Sequence, residues 1–205
     1  MTLPNYISDE LFDEVEKNVR DYHNGPFTDI KLKSLYWEKI LNYSLINQGH
    51  ETTHHIGSHQ VGGDIEINKI DKGRISCKGG DIRGTINNPT IGISSFRSAT
   101  LKTLEEKISY FDSDHEDVII ALVSKGAKTA KTIRDRLNFD YLICVFSPLC
   151  FGSLKWKRKQ TGTGWESRGH HIEADIWETM SDQLWYYIPL NMIENIVEYK
   201  REIVL

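Results

Sequence analysis

Apolar residues recur at helical spacing through the first fifty positions. Leu11, Val15, Val19 and Tyr22 follow Ser8, a residue suited to capping, and Asn24-Gly25-Pro26 stops the run. Leu32, Tyr36, Ile40, Tyr43 and Ile46 form a second stripe, which predicts a helix over about 31–48 ended by Gly49. Then the texture changes. HETTHHIGSHQVGG is polar, β-branched and glycine-punctuated, the signature of loop and short strand. Strands near 63–68 and 73–77 follow, joined by a turn at Asp71-Lys72-Gly73. Residues 81–97 read as loop with one further strand near 82–86. A helix at about 98–111 comes next, with Leu101, Leu104, Ile108 and Phe111 on one face and Lys102, Glu105, Glu106 and Lys107 away from it or at its margin.

DVIIALV (117–123) and YLICVFS (141–147) are continuous apolar runs, hence buried strands, and KTAKTIRDRL (128–137) between them reads as a helix. Two such strands around a helix predict a parallel βαβ unit. After residue 150 the pattern is of β-ribbons (around 153–158, 171–179 and 183–189) and a short C-terminal helix near 191–200. The fold class that follows is α/β, a central mixed β-sheet flanked by helices with a C-terminal β-ribbon excursion. No repeat or long linker divides the chain, so residues 1–205 are expected to form one domain with its core at about 33–147.

Bulk composition adds little to this. Of 205 residues, 39% are hydrophobic and 26% charged, ordinary for a globular chain. There is no run of about 18 apolar residues to cross a membrane and no hydrophobic leader at the acidic N-terminus. The three cysteines, Cys77, Cys144 and Cys150, are an odd count, two of them in apolar stretches; a reducing, cytoplasmic location is the expectation. Charge distribution changes the picture more than the net of −4 does. KWKRKQTGTGWESR (155–168) sets five basic side chains against one acid, and a local basic patch on an acidic chain fits either a polyanion-binding face or a solvated loop.

The stretch that carries chemistry is GGDIEINKIDKGRISCKGG, residues 62–80. With a strand period of two, positions 64, 66 and 68 share one face and Ser76 and Lys78 share another. Pairing around the intervening turn brings Asp64 and Lys78 to the same end of the sheet, and flanking glycines let a bulky ligand approach the backbone. The pair reads either as a surface ion pair at the end of a hairpin or as half of a phosphodiesterase site. In the second case Asp64 ligates Mg²⁺ together with the backbone carbonyl of Cys77, and Lys78 positions the attacking water and offsets transition-state charge.

Gly62-Gly63-Asp64 followed by Ser76-Cys77-Lys78 resembles the PD-(D/E)xK nuclease motif, in particular that of type II restriction endonucleases, and the element order over about 33–125 is similar to that superfamily's core of helix, three-strand meander, helix and strand. Gly63 stands where the motif has Pro, a common variation. Ser76 stands where it wants an acid, and in restriction enzymes with Ser-x-Lys a Glu from a neighbouring helix fills the vacancy. Glu38 on the preceding helix is the favoured ligand here; Glu66, Glu105 and Glu106 are alternatives. The resemblance implies a restriction-endonuclease-like core, Mg²⁺-dependent cleavage of double-stranded DNA, and a homodimer matching a palindromic site. Two other readings stand beside it: a structure-directed or repair nuclease of the same superfamily, and a non-catalytic DNA- or RNA-binding module.

The DNA-contacting region is expected at about 150–190, where a basic β-ribbon can enter the major groove. Lys157, Lys159, Gln160, Arg168 and His170 have base-reading chemistry, and Lys155 and Arg158 suit phosphates. His55, Ser58, His59 and Gln60, in the histidine-rich loop with His50 and His54, fit DNA contact near the site; a zinc site and a plain solvated loop are the other readings, and the spacing matches no closed zinc pattern. Arg97 can hold a phosphate at the start of the 98–111 helix, where Ser95 or Ser98 equally reads as a cap. Trp177, Trp185, Tyr186 and Tyr187 read as core or dimer-interface residues. No Walker or Rossmann loop and no nucleophile elbow is present.

Overall fold

Val118–Ser124 is buried along its whole length, and its alternate side chains enter two different cores. That single strand explains the architecture: a mixed sheet with apolar material on both faces. The computed structural model describes residues 3–25, 31–55, 63–85, 87–97, 100–111, 116–125, 140–151, 154–160, 162–168, 171–180 and 182–205, and the side chains of 84, 85, 96, 97, 110, 111 and 151 are outside that description. Among the described residues three helices, α1 (Asp9–Asn24), α2 (Ser34–Asn47) and α3 (Leu104–Phe111), accompany β1 (Thr52–His54), β2 (Ile65–Ile67), β3 (Arg74–Thr85), β4 (Asn88–Arg97), β5 (Val118–Ser124), β6 (Tyr141–Phe146), β7 (Lys157–Arg158), β8 (Gly164–Ser167), β9 (Glu173–Trp177), β10 (Gln183–Pro189) and β11 (Tyr199–Ile203). The strands form one sheet in the order β11-β6-β5-β3-β4-β10-β9-β8-β7, with β2 also pairing β3 and β1 pairing β2. Among the described residues no helix is long and apolar enough to cross a membrane.

The α/β class and mixed sheet agree with the sequence pattern; several details differ. The parallel pair is β3–β5, whereas β5 and β6 run antiparallel. An all-apolar run reports burial on both faces and not strand direction, so it could not distinguish the two. The helix expected at 128–137 lies outside the described residues. What reads as loop at 81–97 is the far half of β3 and all of β4, a hairpin in register from Gly80↔Ile93 to Thr85↔Asn88. Glycines and Pro89 in that stretch look like breakers, but they sit in strand. The C-terminal helix is instead a 3₁₀ turn at Leu190–Asn195 followed by β11, which pairs antiparallel with β6 and buries Ile203.

Two helices are also displaced from expectation. α2 buries Trp37, Leu41, Ser44 and Leu45, leaving Leu35, Tyr36, Tyr43 and Ile46 exposed. Its sequence is apolar nearly all round, so the stripe chosen from spacing alone mixed the two sides: Leu32 and Ile40 meet the core, while Tyr36, Tyr43 and Ile46 face outward. α3 begins only at Leu104 because Thr103 caps it: the Glu106 backbone N–H donates to Thr103 Oγ1 (3.1 Å), and the Glu106 carboxylate accepts from the backbone N–H groups of Thr103 and Lys102 (3.1 and 2.7 Å). Lys107 is buried, its Nζ donating to the Leu101 carbonyl and lying 3.5 Å from Asp182.

One core lies between α1, α2 and the face of β2, β3, β5 and β6 that carries Ile65, Ile75, Ile120 and Ile143. The other lies on the opposite face and joins Ile119, Ala121 and Val123 to Ile93, Ile176, Leu184 and Ile188. Tyr186 belongs to this second core, while Trp185 lies under Arg83 (4.1 Å) and Trp177 under Lys159 (3.0 Å).

Candidate active site

β2 and β3 pair only at Ile65↔Ile75 and Glu66↔Arg74. On that same edge β3 next meets β4 at Gly80. Between these points the opposite edge stays bonded in parallel to β5, from Ile75 to Asp81. Residues 76–79 therefore form a gap in the sheet on one side only. Asp64 fills it. Its backbone N–H donates to the Ile75 carbonyl (2.8 Å), so the main-chain groups of Ile75, and of Cys77 two residues on, face the gap. The Cys77 N–H donates to Asp64 Oδ2 (2.6 Å), and the buried Ser76 hydroxyl donates to the same oxygen (3.4 Å). Lys78 Nζ stands 3.9 Å from it. The Cys77 carbonyl opens to the same side.

The chain reaches this geometry through a glycine. Gly63 has φ +88°, and a Cβ there would stand 2.9 Å from the Ile75 carbonyl oxygen. Proline, fixed near −65°, is incompatible with it. The Gly-for-Pro difference from the motif is thus not interchangeable in this chain. In the connecting turn, a Cβ on Gly73 would stand 2.5 Å from the Ile67 carbonyl, which keeps β2 and β3 close.

Glu38 joins from α2. Burial pushes its carboxyl above the usual range, the Asp64 charge adds to that, and Lys78 pulls it back down. These causes place Glu38, Asp64 and Lys78 in one electrostatic neighbourhood. His54 arrives from β1, with Nε2 3.8 Å from Glu38 Oε2. One residue pair sets this approach: Thr52, on the same face of β1 as His54, donates to Asn42 Oδ1 (2.7 Å), one helical turn after Glu38. Burial lowers the His54 basicity, with Asp64 opposing. The Cys77 thiol is raised well above its ordinary value by burial and then by Asp64 and Glu38, which keeps it protonated and unreactive.

Of the remaining acids, Glu66 turns away. Asp64 sits in a bend before β2, so strand alternation does not carry over to it, and Glu66 is exposed with His55 Nε2 3.9 Å from its carboxylate. Glu105 is exposed on α3, whose anchors are Leu101 and Asp182, and Glu106 is consumed by the helix cap. Of the candidate acids, Glu38 is the one whose carboxyl feels the charges of both Asp64 and Lys78.

Two carboxylates and a carbonyl make a hard oxygen set, and Mg²⁺ is held by one or two carboxylates with water and phosphate completing its shell. Two acids against one lysine in a half-buried gap also leave negative charge that a cation offsets. The donors therefore fit a divalent ion. Among the described residues, no three His, Cys, Asp or Glu side chains gather tightly enough to hold one by themselves.

The basic ribbon carries its own counter-charges. Lys157 lies 3.4 Å from Glu166, and Arg158 bonds Glu178. Lys159 is nearly covered and stands 3.0 Å from Asp175, which Arg168 also bonds (2.7 Å). Arg168 adds Glu166 and Glu173 at 3.5 and 3.6 Å. The spacing of five cations against one acid concealed this, because Glu173, Asp175 and Glu178 come from the next strand and the turn after it. Lys155 and Gln160 are exposed. His55 donates its backbone N–H to the Asp64 carbonyl (2.9 Å). Ser58, His59, Gln60 and His170, and the side chain of Arg97, lie outside the described residues. Sequence reasoning weighed His54 only within the histidine cluster and did not set it beside Glu38; its alternation with Thr52 in β1 was the available signal. Compared with protein-family models, curated proteins and solved structures, the chain matches none.

Proposed function

We propose that the chain is a Mg²⁺-dependent, sequence-specific double-stranded DNA endonuclease of the restriction type, with a PD-(D/E)xK core. The observation that carries this is the convergence of Cys77 N–H, Ser76 O–H and Lys78 Nζ on one oxygen of Asp64 in a local gap of β3, with Glu38 beside them. The order α2, antiparallel β1-β2-β3, the added strand β4, α3 and then β5 parallel to β3 supports the same reading.

In this reading Asp64, Glu38 and the Cys77 carbonyl hold the ion. Such an ion would supply Lewis-acid stabilisation of the phosphate and lower the pKa of the attacking water. Cys77 N–H and the Ser76 hydroxyl fix one oxygen of Asp64 so that the other is directed outward. Lys78 orients the water and offsets the charge that develops on the phosphate. Ser76 is a donor to Asp64 and not an anion, which is why an acid from α2 is required.

A homodimer cuts both strands of a palindromic site. The exposed residues of α2 suit such a partner: Tyr36 and Ile46, and likewise Lys39 and Tyr43, lie equally far from the level of Leu41. Sedimentation velocity of Tyr43→Glu is expected to show monomer; an unchanged dimer removes this interface.

The second reading, a structure-directed or repair nuclease, is favoured by the ion pairs that occupy Lys159 and Arg168, since a cation held by carboxylates is less available to a base edge. Plasmid digestion distinguishes the readings: discrete bands mean a defined sequence and a smear means none. DNA binding that ignores Mg²⁺, with no cleavage under any divalent ion, indicates the non-catalytic module.

A further inference from the structure

We infer that His54 supplies a nitrogen ligand to the metal at this site and tunes it toward Mn²⁺ over Mg²⁺. The inference rests on the reading of Glu38 and Asp64 as metal-holding acids. His54 is nine-tenths buried, and its Nε2 has no hydrogen-bond partner. Buried imidazole nitrogens ordinarily have one. Its nearest acidic neighbour is Glu38 Oε2 at 3.8 Å, too long for a hydrogen bond.

That separation is about 0.8 Å wider than that of two adjacent donors on one ion, a gap that small side-chain rotations close. At metal–ligand lengths of about 2.1 Å, adjacent donors lie about 3 Å apart and opposed donors about 4.2 Å apart. Glu38 Oε2 and His54 Nε2 fall between these limits. The Thr52–Asn42 bond presents the imidazole to α2 before any ion arrives, and on the other strand of the ribbon His54 lies opposite Ile65, one residue after Asp64. Glu38, His54 and Asp64 thus come from α2, β1 and the bend before β2 to one end of the site.

The donor set decides the ion. Carboxylate and carbonyl oxygens alone suit Mg²⁺, whereas an imidazole favours ions further along the first transition row. A closed zinc site would need more side chains than are gathered here. One nitrogen among oxygens and water shifts the preference from Mg²⁺ toward the first transition row, where Mn²⁺ is the ion that shares the Mg²⁺ preference for oxygen.

The test uses the full chain without DNA. Mn²⁺ is titrated while the free-ion electron paramagnetic resonance signal is followed, and Mg²⁺ is then added as competitor. The expected result is one Mn²⁺ per chain, weakly displaced by Mg²⁺, with nitrogen modulation from an imidazole in the electron spin echo. His54→Gln is expected to abolish the modulation and weaken Mn²⁺ about tenfold or more while leaving Mg²⁺ nearly unchanged. A wild-type complex without nitrogen modulation overturns the inference and requires no folded variant. So does equal loss of both ions in His54→Gln, which marks a structural role. Asp64→Asn and Glu38→Gln separate the two levels. If they abolish Mn²⁺ binding and His54→Gln does not alter it, only the His54 assignment fails. If neither alters it, or the wild type binds no Mn²⁺, the metal reading fails with it.

Discussion

Replacing Lys78 by Met keeps the aliphatic stem and removes the charge. Lys78 Nζ is 3.9 Å from Asp64 Oδ2, and the two side chains are only 16% and 25% exposed. At an effective dielectric near 20 their gross attraction is about 4 kcal/mol, most of it offset by the desolvation of both ions. Asp64 keeps its bonds from Cys77 N–H and Ser76 after the substitution. The net loss of stability is therefore about 1–2 kcal/mol, which for a chain of this size lowers Tm by roughly 2–8 °C. The loss in cleavage is expected to be far larger, about 10²–10³-fold, the effect of removing one preorganised charge-stabilising group from a transition state. Single-turnover cleavage of linear DNA, run beside a thermal melt, separates the two effects. Near-wild-type cleavage by a folded Lys78→Met protein refutes the catalytic role, and Lys78 is then an ion-pair partner of Asp64 and nothing more.

Glu38→Gln is expected to abolish metal-dependent cleavage and to raise stability at neutral pH. The folded carboxyl is raised above 4.5, so the native state binds its proton more readily than the unfolded chain and loses stability as pH rises through the folded value. Gln removes that loss, and its advantage in a pH series of melts is expected to vanish in acid; a constant advantage contradicts the burial argument. Gly63→Pro, which installs the residue of the resembling motif, is expected to destabilise by about 2 kcal/mol or more, because φ +88° is closed to it; a melt at the wild-type temperature contradicts the geometry. Lys159→Ala is expected to lower Tm by leaving Asp175 with Arg168 alone, while Lys155→Ala is expected to weaken DNA binding in a filter assay without altering Tm.

Local pattern revealed the first two helices, the apolar strands and the pairing of Asp64 with Lys78, because each depends on residues close in sequence. It missed β4 and the length of β3, whose glycines and Pro89 look like breakers until a neighbouring strand is known. It took Tyr36, Tyr43 and Ile46 for inward positions because large apolar or aromatic residues lie on both sides of α2; only the sheet decides which side is covered. The candidate acids were visible as a shortlist, and only α2 packing over β3 puts the Glu38 carboxyl within reach of the Asp64 charge. The neutralisation of Lys159 and Arg168 was not legible at all, since their partners belong to strands whose register the sequence does not display.

The central claim, metal-dependent cutting at Asp64 and Lys78, is tested most directly by incubating closed-circular plasmid with wild-type chain and with Asp64→Asn, each with and without Mg²⁺ or Mn²⁺, and mapping the ends. Metal-dependent cleavage at discrete sites by the wild type, absent in a folded Asp64→Asn, is the expected result. No cleavage under either ion, or equal cleavage by the variant, contradicts it.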